Sequence, residues 1–130
     1  GNVTPNRRTR AIERLRASGR AAAAQRAEGI EHLLPPRPGG VQASLLANPD
    51  LQVVVVAHTG LDDLNTVRDI WYAVPLDKTL HLRWHTALAS EVPTDAAGLS
   101  RWLFVEWELM DAWVGARRGP PRDPDPRVSR

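Results

Sequence analysis

The sequence predicts an α/β layer fold, with helices packed on a small sheet. Three observations carry this. Val53 to Val56, inside the segment Leu51 to His58, is a strand-length block of β-branched residues. The segment that opens at Pro93-Thr94-Asp95 carries Leu99, Trp102, Leu103, Leu109, Met110 and Trp113 at near-helical spacing. Helix-forming and strand-forming stretches alternate along the rest of the chain, the order expected when helices lie on a sheet.

The elements follow in order. Thr4-Pro5 reads as a helix start, with Thr as N-cap and Pro at the first helical position. Asn6 to about Glu28 favours helix through its Arg, Ala, Glu, Leu and Gln, with Gly19 as a break or bend. Pro35-Pro36-Arg37-Pro38-Gly39-Gly40 is expected to be irregular, with three Pro and two Gly in six residues. Val41 to Ala47 reads as a short helix, and Asn48-Pro49-Asp50 as a turn. Four consecutive Val residues in the next strand predict burial on both faces. Thr66 to Ala73 reads as a short helix stopped by Pro75. Thr79 to Leu88 alternates as a half-exposed or edge strand, with Leu80, Leu82, Trp84 and Thr86 on one face and His81, Arg83 and His85 on the other. The last helix ends near Arg117-Arg118, basic residues suited to a helix C-terminus. The expected division is one domain over residues 1–118 and a disordered Pro/Arg/Asp tail over 119–130. Two or three strands make a small sheet, one that partner strands would stabilise.

Composition narrows the function classes. The chain has 130 residues, 42% of them hydrophobic and 25% charged, which suits one domain with one modest core. No Cys is present, so disulfides and thiolate metal sites are excluded. The formal net charge is +2, and Lys78 is the one Lys among 17 basic residues. An Arg bias suits anionic ligands, because guanidinium presents a planar fork of donors; a bacterial codon bias produces the same composition. The balanced charge and lack of a recognisable binding motif argue against nucleic acid. No apolar run approaches the roughly 20 residues of a membrane-spanning helix.

The stretch Leu33-Leu34-Pro35-Pro36-Arg37-Pro38-Gly39-Gly40 is the most informative. Its Pro and Gly residues fix a turn that a ligand can approach, and Arg37 offers a charged fork. By composition alone it reads first as a plain helix-to-sheet connection. It resembles the "LLPR-x-x-G" block of lysophosphatidic acid acyltransferases, in the phospholipid/glycerol acyltransferase superfamily. Other pieces resemble that family in the same order. Gly1-Asn2-Val3-Thr4 is similar to the end of an FPEG-T-R block, and a basic helix with Arg7, Arg8 and Arg10 follows. Val53 to Thr59 stands where the family has a "V-Y-D-V-T" strand. Glu91-Val92-Pro93-Thr94-Asp95, Trp102-Leu103 and Asp111-Ala112-Trp113 resemble its "I-P-x-D … W-L … K-D" tail. The resemblance spans roughly residues 1–114.

The resemblance implies a partial glycerolipid-acyltransferase-type sheet flanked by helices, the C-terminal half of that fold. It implies acyl transfer from acyl-CoA or acyl carrier protein to a lysophospholipid such as 1-acylglycerol-3-phosphate, with no bound cofactor. It also implies work at the cytoplasmic face of the membrane, as a peripheral protein, or in the cytoplasm. In the family, a His of an H-x4-D pair upstream of FPEG activates the acceptor hydroxyl, and its Asp orients it. Gly1 stands for the Gly of FPEG, so the catalytic pair is expected in a preceding segment, and this chain alone is expected to be inactive. Asn2 and Val3 occupy the neighbourhood of the FPEGTR Arg. The resemblance therefore implies acceptor binding by Gly1, Asn2, Arg7, Arg8 and Arg37, with Arg7 or Arg8 replacing that Arg.

His58 and Asp63 are also spaced as H-x4-D, at the end of a strand. In the family the pair precedes FPEG, so here they read as a strand-end His and a turn-forming Asp. His81 and His85 lack a third ligand nearby, and no metal is expected. Trp102, Trp107 and Trp113 read as core residues of the last helix, with a membrane-interface role as the alternative. A second functional reading is an interaction module without catalysis, binding anionic lipid or a protein partner through the Arg-rich first helix.

Overall fold

In the computed structural model, which describes residues 3–60 and 79–118, Thr4 opens helix α1 (Pro5–Ala17) by accepting the Arg7 backbone N–H on its hydroxyl. The reading of Thr4-Pro5 as a helix start holds, because Pro at the first position gives up an N–H that has no partner there. The helical stretch breaks at Gly19, whose φ of +73° is open to glycine and strained for other residues. Helix α2 (Ala21–Glu28) then folds back on α1. Ile12, Ala24, Ala27, Ile30 and Phe104 form the core between this pair and the last helix.

The first departure from expectation is at Pro38. Helix α3 spans Pro38–Ala47, so Pro38-Gly39-Gly40 forms its first turn rather than irregular chain. Proline there has its φ already set for a helix, and its missing N–H costs nothing in a first turn. The irregular part of that stretch shrinks to residues 35–37.

Strands β1 (Gln52–Thr59) and β2 (His81–Leu88) pair antiparallel, with Val55 opposite His85 and Val56 opposite Trp84. Gly60 leaves β1 at φ +105°, where a Cβ would lie 2.3 Å from the Thr79 carbonyl oxygen. Burial on both faces of β1 is not what the structure has. Val55, Ala57 and Thr59 are buried, while Val54 and Val56 are 52% and 57% exposed. Among the described residues the sheet has two strands, and helices cover one face. The register places Leu82, Trp84 and Thr86 with Val54 and Val56 on the uncovered face, and His81, Arg83 and His85 on the other.

Helix α4 (Ala96–Arg118) lies across this assembly and contributes to every core cluster. Leu99 and Leu103 pack with Leu45, Ala87 and Val92; Phe104 packs with the α1–α2 core; Met110 and Val114 pack on Val55 and Ala57. Fully buried Leu99 and Val114 each contribute ~1.5–3 kcal/mol. Asp95 caps the helix by accepting the Gly98 N–H at 2.7 Å. Trp102, Trp107 and Trp113 pack against the cores, as expected of core residues. The segment Thr66 to Ala73, the tail 119–130, and Gly1, Asn2 and Asp63 lie outside the described residues.

Candidate functional site

The loop that carries Arg37 is fixed at both ends. Asp111, buried on α4, accepts three successive backbone N–H groups, from Glu31, His32 and Leu33, at 3.0, 2.7 and 2.8 Å. Trp107 donates its indole N–H to the Leu34 carbonyl at 2.9 Å. Pro36 is buried beyond these contacts, and Pro38 begins α3. A carboxylate that collects three N–H donors holds a loop far more rigidly than a turn alone. Arg37 is thus displayed, exposed, from a pinned loop.

Arg37 lines a cavity of about 380 Å³ with Arg14, Arg20, Pro35, Pro36, Pro38 and Gly39. A second cavity of about 550 Å³ adjoins it and shares Arg20, Pro38 and Gly39. Arg26, Arg101, Ala96 and Ala97 also line the larger one. Among the described residues, five arginines therefore border the joined cavities, and no Asp or Glu does. A concave surface with cations of one sign focuses its field on anions. The Gly19 break makes this possible, because it turns α2 back so that Arg20 faces the N-terminus of α3.

The other residues expected at the site are dispersed. Arg8 donates Nε to the Ile30 carbonyl at 2.7 Å and a second guanidinium N–H to the Glu28 carbonyl. Its fork thus closes the C-terminal end of α2, where carbonyls lack helical partners. Arg7 is exposed on the first turn of α1. His58 is exposed on the uncovered sheet face, opposite Leu82. His81 and His85 share the other face, and no group of three metal-ligating side chains exists among the described residues.

One polar pair was not foreseen. His85 Nδ1 lies 2.8 Å from Glu106 Oε2, with the Glu side chain 8% exposed and the His 53%. Glu106 sits four residues after Trp102 and four before Met110, on the buried stripe of α4. A Glu at such a position was the available signal, since acids are rarely buried without a partner.

No protein-family model, curated protein or solved structure matches the chain.

A third cavity, of about 230 Å³, is apolar and lies between Leu33, Leu34, Trp107 and Met110 on one side and Val55 to Ala57 of β1 on the other, with Val3 at its rim. It borders β1, whose other neighbour is β2. A basic site on a pinned loop, an apolar cleft lined by the same loop's Leu33 and Leu34, and an uncovered apolar sheet face are surfaces with functional content among the described residues.

Proposed function

We propose that this chain is the C-terminal portion of a glycerolipid acyltransferase, which transfers an acyl group from acyl-CoA or acyl carrier protein to a lysophospholipid such as 1-acylglycerol-3-phosphate. The observation that carries the proposal is the two-faced sheet. Val54, Val56, Leu82, Trp84 and Leu88 are each more than half exposed on the face opposite α4. An antiparallel sheet commonly leaves one face to solvent, but with polar side chains on it; an apolar second face fits a sheet that a further layer covers. Such a sheet fits a half-fold completed by further strands and helices.

The resembling motifs are also coupled in space. Asp111, from the tail block, holds the backbone of the Leu33-Leu34-Pro35 block, and Arg37 is displayed from that loop. In this reading Arg37 and Arg14 receive the acceptor phosphate, and the apolar cleft beside β1 accommodates hydrocarbon. Chemistry comes from a His–Asp pair in the companion segment, where the His takes the proton of the acceptor hydroxyl.

The reading frame ahead of Gly1 tests this directly. It should encode Phe-Pro-Glu immediately before Gly1 and an H-x4-D pair further upstream. The whole encoded polypeptide should then acylate 1-acylglycerol-3-phosphate from one of the two thioester donors. Absence of those letters, or a folded whole protein inert with both donors, overturns the proposal.

A second reading, a non-catalytic module that binds anionic lipid, is favoured by one observation: five arginines border cavities whose lining, among the described residues, has no acid. It predicts vesicle binding by the chain and no transferase activity in the whole polypeptide.

A further inference from the structure

The larger cavity carries an inference that stands apart from acyl transfer. We propose that it is a binding site for a small molecule bearing at least two phosphate groups.

Its cations are available. Arg20 and Arg101 have no acidic partner among the described residues. Arg26 is held in place by Glu108 at 2.8 Å and lies 5.4 Å over the Phe104 ring. Arg26 thus forms a fixed wall, and Arg20 and Arg101 have forks free to close on a ligand.

Backbone donors meet the same space. Ala22 and Ala23 belong to the first turn of α2, and Gly39 to that of α3; all three line the cavity, and each has a backbone N–H. Neither helix has a side-chain cap, so the N–H groups of these turns lack the acceptor that capping supplies. Phosphate oxygens are suited to that role. The arginines, not the helix ends alone, make the site: the two free guanidinium forks of Arg20 and Arg101, with the N–H groups of two uncapped turns, offer more donors than one phosphate can accept.

The volume of about 550 Å³ falls within the roughly 300–1,000 Å³ usual for small-molecule sites. Concave walls of Ala22, Ala23, Ala96 and Ala97 suit a compact ligand better than a flat bilayer or a long polyanion.

Calorimetric titration of the full chain with inorganic pyrophosphate and with inorganic phosphate, at matched ionic strength, tests the proposal. One pyrophosphate should bind per chain, at least about tenfold more tightly than phosphate. Arg20→Gln and Arg101→Gln should each weaken it about tenfold or more, the size of one charge-assisted hydrogen bond. Arg10→Gln removes the same charge from a residue that lines neither cavity, and should change affinity less than about twofold. Unchanged helical circular dichroism in all three variants keeps the comparison about binding. No saturable pyrophosphate binding, or equal weakening by Arg10→Gln, overturns the site. Binding to phosphatidic acid vesicles without binding to pyrophosphate overturns it as well, and favours a lipid surface. Acylation by the whole polypeptide is a separate readout, so either proposal can fail alone.

Discussion

Asp111 and His32 are 79 residues apart in sequence, and the carboxylate of one accepts the backbone N–H of the other at 2.7 Å. With the neighbouring N–H groups of Glu31 and Leu33, this makes Asp111 the anchor of the loop that displays Arg37. Asp111→Asn keeps the shape but replaces one acceptor oxygen with a donor, facing N–H groups that cannot receive it. We expect a loss of ~2–3 kcal/mol, read as a lower denaturant midpoint with unchanged slope. A loss within 0.5 kcal/mol would show that the loop holds without its anchor.

Arg8 gives a prediction of a different kind. Because its fork closes the end of α2 on the Glu28 and Ile30 carbonyls, Arg8→Gln should cost ~1–2 kcal/mol of stability. Arg14→Gln, at an exposed residue of the same helix that lines the smaller cavity, should cost less than ~0.5 kcal/mol. Chemical denaturation of the two variants side by side separates a structural arginine from one free for ligand.

Much of the fold could be read from local chemistry. Thr4-Pro5, Gly19, the valine run and the Pro93-to-Asp95 start each act within a few residues, and each lies near its expected boundary. Pro38 was missed because its helix-starting role and its loop-forming role look alike in sequence. The uncovered sheet face was missed because a run of valines specifies apolar surroundings without saying what supplies them. Arg37 could be singled out from its Pro-rich setting. Arg20, Arg26 and Arg101 could not, because they meet only after α2 folds back and α4 crosses it. Glu106 and His85 likewise find each other across 21 residues, through tertiary packing alone.

Gly98 tests the start of α4. Alanine is the better helix former by ~1 kcal/mol. Here its Cβ would lie 2.5 Å from Asp95 Oδ1 and 2.9 Å from Pro93 Cβ. The proline ring cannot swing away, and moving Asp95 breaks the cap. Gly98→Ala should therefore lower stability by ~1–3 kcal/mol despite the propensity gain, as measured by thermal unfolding.

His58 stands on the uncovered face, away from the loop of Arg37. On the proposed acyl-transfer reading, His58→Ala in the whole polypeptide should leave the transfer rate within about twofold of the parent, as for a surface substitution. Loss of turnover with normal folding would make His58 part of the chemistry.

The open sheet face should bind hydrophobic dye in the isolated chain. Val56→Thr with Trp84→Thr should reduce that fluorescence while costing the chain less than ~1 kcal/mol, since both side chains are already more than half exposed. In the whole polypeptide the same pair should be far more costly if further layers cover the face.

Because α4 contributes to all three core clusters and also anchors the Glu31–Leu33 backbone, the early helices have little to settle against until it exists. A polypeptide emerging from the ribosome makes this helix last of the described elements. The nascent N-terminal portion must therefore wait, incompletely docked, until residues near 114 have cleared the exit tunnel. Premature stop codons anywhere within α4 should yield chains that are degraded rather than shortened proteins that persist.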